Sequence, residues 1–248
     1  MKNVLWASIA VGLSLGTSAA MAQGVNPNGF YFRAGGGAAI GTDLTFTDID
    51  STNPAFGAGN LTGSTDTSVL AIAGIGYKFS PLFWADITGL YIPDMSFSNG
   101  TAVSVPLNNA TGKIDTLAAM VNGYVDVGRL FRLPLGSVQP YVMGGVGYAR
   151  NHLGTISGSV PVAGFTSADF NGATHSNFAW GAGAGIGIPL GSHLSVDVGY
   201  EYLDLGEVRT GGSGTLNFAT GSPILLTGGV AKADLKVHTI QASLRFGF

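Results

Sequence analysis

Apolar and polar residues alternate along most of the chain, in runs separated by clusters of glycine, asparagine, threonine, serine and proline. Alternation with a period of two is typical of β-strands with two different faces, and the clusters indicate turns. Eight such runs begin near residues 30, 67, 83, 114, 139, 176, 194 and 232. Most extend over about 11–15 residues, which exceeds an ordinary globular strand and suits a tilted strand that crosses a bilayer.

The connections between the runs alternate in length. The odd-numbered runs recur at intervals of 53, 56 and 55 residues. The short connections cover residues 80–82, 128–138 and 189–193, and the long ones cover residues 42–66, 94–113, 151–175 and 207–231. Short turns at one end and long loops at the other are typical of bacterial outer-membrane barrels. We therefore predict an all-β fold, an eight-stranded antiparallel up-and-down transmembrane β-barrel.

One face of seven runs carries no charged residue. This face takes every second residue, and it begins at Phe30, Val69, Phe83, Leu117, Phe178, Leu194 and Ile240. An arginine or lysine facing lipid near the bilayer midplane costs about 2–4 kcal/mol, so we assign this face to lipid. Its aromatic residues fall mostly at the strand ends, as in the two aromatic girdles of membrane barrels. The fifth run, residues 141–149, is glycine-rich on one face, and its orientation stays open.

The opposite face of the runs holds nearly all the strand charges. They are Arg33, Lys78, Asp86, Asp126, Asp197, Glu201 and Arg245, most of them in the half near the short turns. An eight-stranded barrel is just wide enough for its own side chains, and an isolated buried charge is costly. We therefore predict an interior salt-bridge network that closes the lumen. The alternative is a charged pore lining. Inward glycines, Gly181, Gly183, Gly185 and Gly187, would make room for long side chains.

Composition narrows the class of protein further. Charged residues make up 10% of the 248 residues, hydrophobic residues 46%, and the net charge is −3. The absence of cysteine excludes disulfide scaffolds, thiolate metal sites and cysteine nucleophiles. The negative net charge lacks the excess of basic residues that is typical of nucleic-acid-binding proteins. Composition alone leaves a membrane protein or a bland soluble β protein, and the uncharged face favours the membrane protein.

The first residues have the features of a secretory signal peptide. Lys2 is followed by an apolar stretch over residues 4–15, and small residues, Ala20 and Ala22, precede Gln23. The apolar stretch is too short for a membrane-spanning helix. We predict a signal peptide over residues 1–22 and a barrel domain over residues 23–248, placed in the bacterial outer membrane with both termini periplasmic.

The last ten residues resemble the C-terminal β-signal of outer-membrane proteins, which the barrel assembly machinery recognises. Gln241, Phe246 and Phe248 match the pattern, and Ser243 stands where the pattern usually has glycine. With the eight runs, the chain resembles the small outer-membrane barrels of the OmpA, OmpW and opacity-protein type. The segment over residues 200–206 resembles the penultimate strand of the porin-like opacity family. The resemblance implies that the barrel assembly machinery binds the chain during biogenesis and that outer-membrane lipid and lipopolysaccharide surround the folded protein.

Candidate chemistry along the chain is sparse. The four histidines stand apart from one another, so we predict neither a metal site nor a cofactor. His193 and Ser195 have the spacing of the pair in outer-membrane lipid A deacylases, but they lie at the predicted short-turn end, on the wrong side of the membrane. The leading hypothesis is a non-enzymatic surface protein whose long loops meet a host or surface ligand. A porin-like channel for small solutes, which the OmpW resemblance implies, and a lipid-modifying enzyme are the alternatives.

Overall fold

The computed structural model describes residues 29–49, 60–102 and 107–248, so the predicted signal peptide lies outside the described residues. The strands are β1 (Gly29–Gly41), β2 (Leu44–Asp48), β3 (Leu61–Thr65), β4 (Thr67–Lys78), β5 (Phe83–Ala102), β6 (Leu107–Asp126), β7 (Gln139–Leu153), β8 (Ile156–Ser159), β9 (Phe165–Gly172), β10 (Thr174–Pro189), β11 (Leu194–Phe218), β12 (Ile224–Thr227) and β13 (Ala231–Gly247). One short helix, α1 (Val127–Leu130), follows β6. No helix in the described ranges is long and apolar enough to span a bilayer.

Eight long strands form a closed antiparallel ring. Going around it, the order is β1, β4, β5, β6, β7, β10, β11 and β13, and β13 pairs back with β1. This confirms the predicted fold class. Seven of the eight strands begin within two residues of the predicted position. The exception is β6, which begins at Leu107 rather than near residue 114.

The two faces of the ring have the predicted orientation. Phe30, Val69, Ile75 and Val121 are all more than half exposed on the outside, and the alternate residues are buried. The structure also settles the fifth run. Over residues 141–149 of β7 the exposed residues are Val142, Gly144, Val146 and Tyr148, whereas Tyr141, Met143 and Ala149 are buried.

Aromatic rings mark both ends of the outer surface. At the short-turn end, Tyr77 lies between Phe30 and Phe79, with ring centroids 4.9 and 5.1 Å away. At the long-loop end, the Trp180 and Tyr202 rings are 5.5 Å apart. Rings of this kind favour the polar boundary of a bilayer, so the two clusters bracket the band that faces lipid.

The predicted long loops contain strands of their own. β2 and β3 enter between β13 and β5, and β8 and β9 enter between β6 and β11. Because β5, β6, β11 and β13 continue past the membrane band, these hairpins complete a second closed ring of eight strands above the first. We call it the upper ring. It explains why β5, β6 and β11 reach 20, 20 and 25 residues, longer than the predicted runs.

Candidate functional site

The interior of the lower ring is polar near the short turns. The Arg33 side chain is 5% exposed, and its Nη1 lies 3.7 Å from Oδ2 of Asp86. Arg33 also donates from Nη1 to the Tyr124 hydroxyl at 2.6 Å and from Nε to Oγ of Ser243 at 2.9 Å. These contacts join β1 to its neighbour β13 and to β5 and β6, which are two and three strands away around the ring, so the guanidinium reaches across part of the lumen.

Asp86 receives three further hydrogen bonds from buried groups. Oδ1 accepts from Nδ2 of Asn122 and from the Thr88 hydroxyl, both at 2.9 Å, and Oδ2 accepts from the Tyr31 hydroxyl at 3.1 Å. Hydrogen bonds from neutral donors offset much of the loss of hydration that a buried carboxylate suffers. The Arg33–Asp86 pair therefore belongs to a cross-lumen network of five or more side chains.

A second ion pair lies nearer the short turns. Nη2 of Arg245 is 3.2 Å from Oδ1 of Asp197, and both side chains are buried. Oδ1 accepts no hydrogen bond from a described residue, so the contact is electrostatic rather than a directed bond. The Arg245 guanidinium also lies 5.2 Å from the centre of the Trp84 ring and 5.7 Å from that of Tyr31, which adds cation–π attraction.

The other three predicted interior charges are held separately. Glu201 accepts a hydrogen bond from Nε2 of Gln241 at 3.1 Å. Lys78 is half-buried with its Nζ 5.8 Å from the Trp84 ring. Asp126 caps α1, where its Oδ1 accepts from the Arg129 amide at 2.8 Å and its Oδ2 lies 3.2 Å from Nε of Arg129. The seven charges thus occupy one end of the barrel in several groups.

Aromatic rings fill the space between these charges. This aromatic packing was not predicted from the sequence. Tyr31, Trp84, Tyr124, Tyr141 and Met143 form one buried cluster. The Trp84 and Tyr124 rings stack with centroids 5.4 Å apart, and Tyr141 meets both edge-on. The sequence could have predicted this cluster, because all five residues occupy inward positions of the alternating pattern.

The long-loop half of the lumen is apolar, and sequence reasoning missed this as well. A single hydrophobic core runs from inside the lower ring into the upper ring; among its members are Ile72, Leu90, Met120, Leu203, Val237, Phe46, Phe97, Leu153 and Ile156. A cavity of about 10 Å³ separates this core from the polar layer, with Arg33, Glu201 and Gln241 on one side. A space of this size is at the lower limit for one water molecule.

An exposed charge cluster lies above the upper aromatic girdle. Glu207 accepts from Nζ of Lys232 at 2.6 Å and from Nη2 of Arg209 at 2.9 Å. The hydrogen bond from Lys232 holds the pKa of the Glu207 carboxyl below its ordinary value, and the bond from Arg209 acts in the same direction. The cluster is partly exposed, so the two pairs add little stability and mainly order the base of the last hairpin.

His193 and Ser195 lie at the short-turn end, as expected from the sequence. The His193 ring makes a hydrogen bond of 3.1 Å to the Gly247 carbonyl and packs beside Phe246, with ring centroids 6.2 Å apart. Ser195 is paired in the sheet with Arg245. The His193 ring thus contacts the backbone and an aromatic ring.

Comparisons with known proteins place the chain in a family. A model described as the outer membrane protein beta-barrel domain matches residues 8–248. The outer membrane protein PagN of Salmonella typhimurium is 32% identical over 100 residues, which are 40% of this chain and 38% of PagN. The match therefore spans under two fifths of the length of that relative.

Two solved structures are similar over most of the chain at low identity. Neisserial surface protein A has a TM-score of 0.46 and 12% identity, covering 88% of this chain and 97% of its own. OprG from Pseudomonas aeruginosa has a TM-score of 0.49 and 16% identity, covering 89% of this chain and 97% of its own. On the closed ring of strands, its uncharged outer face and the family match, this chain belongs to the outer membrane protein β-barrel domain family and is a protein of the bacterial outer membrane.

Proposed function

We propose that this protein is a surface interaction protein: the lower ring anchors it in the outer membrane, the lumen is closed, and the upper ring presents a rigid surface outside the cell. The observation that carries the proposal is the filling of the lumen by side chains from end to end. The charged and aromatic layer occupies one half, and the apolar core occupies the other.

The apolar half is the stronger barrier to solutes. Leu203 and Val237 are fully buried there, and the core continues upward through Phe46 and Phe97, whose rings meet edge-on at 5.5 Å. Burying a large apolar side chain contributes about 1.5–3 kcal/mol, so opening a water-filled path would expose several such groups at once. An eight-stranded barrel has no spare width around them.

The upper ring is suited to present a binding surface because its added strands have no unpaired edges and so hold a fixed shape. β2, β3, β8 and β9 are each paired on both sides, so the surface they form is held in place. Above them, β12 pairs with the tip of β11. Leu225 of β12 is 67% exposed and Ile224 is more than half exposed. An exposed apolar hairpin of this kind suits contact with a host or surface ligand.

The orientation follows from loop length. Short turns of outer-membrane barrels face the periplasm, so both ends of the barrel domain and the three short turns lie there. The upper ring then lies beyond the lipopolysaccharide leaflet. In the same proposal Gln241, Phe246 and Phe248 serve as the signal for the barrel assembly machinery, with Phe246 on the lipid side and Gln241 bonded inside the lumen.

Planar-bilayer recording on refolded protein tests the closed lumen. Heat-modifiable gel migration first establishes that the sample is folded. We expect no stable conductance steps from the folded protein. Reproducible steps of constant size would overturn the closed lumen and favour the porin-like channel. A change in lipid A mass on expression would instead favour a lipid-modifying enzyme.

A further inference from the structure

The second short turn differs from the other two in length and surface. Residues 127–138 join β6 to β7, whereas residues 79–82 and 190–193 form the other short turns. Exposed apolar side chains dominate its surface: Leu130, Phe131, Leu133, Leu135 and Val138. Arg129 and Arg132 are the charged residues of the segment. We call residues 127–138 the basic turn.

The backbone of the basic turn is ordered. Asp126 caps α1, and the Phe131 and Leu133 amides donate to the Val127 and Gly128 carbonyls at 3.0 and 2.8 Å. Arg132 has φ of 55°, in the left-handed region that favours glycine.

The basic turn is continuous with the lipid-facing surface. It starts just after Val125 and ends just before Val142, which belong to the outward faces of β6 and β7. Arg129, Arg132 and Leu133 line a cavity of about 840 Å³ at the short-turn mouth of the barrel. Phe131 is 68% exposed.

We propose that the basic turn binds anionic phospholipid head groups of the inner leaflet of the outer membrane. Leu130 and Phe131 enter the head-group and acyl boundary, and Arg132 pairs with phosphates, since Arg129 is already paired with Asp126. Exposed apolar side chains beside an arginine are the composition of an interfacial anchor. The proposal rests on the periplasmic placement of the short turns given above, and not on the closed lumen.

Depth measurement tests the insertion of Phe131. The chain has no cysteine, so Phe131→Cys gives a unique site for a nitroxide label on the full barrel in vesicles with phosphatidylglycerol. Power-saturation spectra should show more collision with oxygen than with a water-soluble nickel complex. A label at Ser192→Cys, in the shorter exposed turn, is the control and should report water. Water-like collision at residue 131 would overturn the proposal and favour a periplasmic protein as the occupant.

Charge removal tests the head-group pairing. Arg132→Gly removes the guanidinium and relieves the left-handed backbone, so the folded barrel should keep its stability. Binding of added phosphatidylglycerol to the detergent-held barrel, followed by native mass spectrometry, should weaken about fivefold. Arg150→Gln removes an exposed charge at the other end of the barrel and should leave that binding unchanged. Unchanged binding in Arg132→Gly, or an equal loss in both variants, would overturn the proposal.

Bilayer conductance tests the closed lumen and does not depend on the basic turn. The closed lumen and the lipid site can therefore be refuted independently. A conducting wild-type protein with a lipid-inserted Phe131 removes only the closed lumen. A silent protein with a water-exposed residue 131 removes only the lipid site.

Discussion

The side-chain amide of Asn151 donates a hydrogen bond to the backbone carbonyl of Leu205 at 2.9 Å. It also donates to the Glu207 carbonyl at 3.2 Å. These carbonyls lie where β11 changes partner. Its pairing with β10 ends at Asp204, and its pairing with β9 begins at Thr210. The side chain of Asn151 thus replaces a missing strand at the junction of the two rings.

Replacing Asn151 tests whether its side chain stabilises β11 where no neighbouring strand pairs with it. Asn151→Ala leaves the Leu205 carbonyl without this donor and the buried Thr116 hydroxyl without its acceptor. The Glu207 carbonyl keeps a bond from Nδ2 of Asn177 at 2.8 Å. The loss should lower the free energy of unfolding by about 1–3 kcal/mol. The temperature at which the gel band shifts from folded to unfolded migration measures the loss. Asn108→Ala, at an exposed position of β6, is the matched control. Equal transition temperatures for the two variants would contradict the role of Asn151.

Gly185 allows β10 to pack closely against its neighbours. A Cβ at this position would lie 2.5 Å from the Tyr141 hydroxyl and 2.6 Å from the Val198 carbonyl. The backbone oxygen cannot move without breaking the sheet register, so Gly185→Ala should cost about 1–3 kcal/mol and reduce the refolded fraction.

Gly191 provides the comparison for Gly185, because a Cβ there meets no described atom within 4 Å. Gly191→Ala should refold like the wild type in the same gel assay. If Gly185→Ala also refolds fully and melts at the wild-type temperature, the space around Tyr141 is larger than the structure indicates.

Substitutions in the Arg245–Asp197 pair test how much this ion pair contributes to the free energy of unfolding. Arg245→Met removes the nearest cation and leaves Asp197 buried, which should cost about 3–5 kcal/mol. Asp197→Asn combined with Arg245→Met removes both charges and should recover a large part of that loss. Guanidinium titration of all three variants, with folded barrel scored by gel migration, measures the difference. A double variant no more stable than Arg245→Met would show that the two side chains act independently.

Deleting Phe248 tests the proposed assembly signal. In the folded barrel the Phe248 side chain is exposed, and its amide donates to the Phe30 carbonyl at 3.1 Å. Loss of one such bond costs only about 0.5–1.5 kcal/mol, so the folded protein should remain stable. We expect the amount in the outer membrane to fall severalfold, measured by immunoblot of membrane fractions. Phe79→Ala, which removes another exposed phenylalanine at the same end, should assemble normally. Equal yields would count against the signal.

The starts of seven of the eight membrane strands were predictable because the alternation is strict and the lipid side admits no charge. Phe30, Val69 and Phe83 begin faces that the structure indeed turns outward. The fifth strand was not orientable because Gly144, Gly145 and Gly147 give little contrast between its faces. The alternation also could not predict which charges pair with each other. It places Asp126 on the inward face, but the partner of Asp126 is Arg129 in the following turn.

The sequence by itself determined the strand order and the lipid-facing side, since these follow from a period of two and from the cost of a charge in lipid. Only the tertiary structure decided which side chains fill the lumen. Residues such as Leu203 and Phe97 stand on the inward face like the charges do, and their shared core appears when strands distant in sequence meet. The upper ring is decided in the same way, because β2, β3, β8 and β9 are too short to be recognised alone and form by pairing with the extended barrel strands.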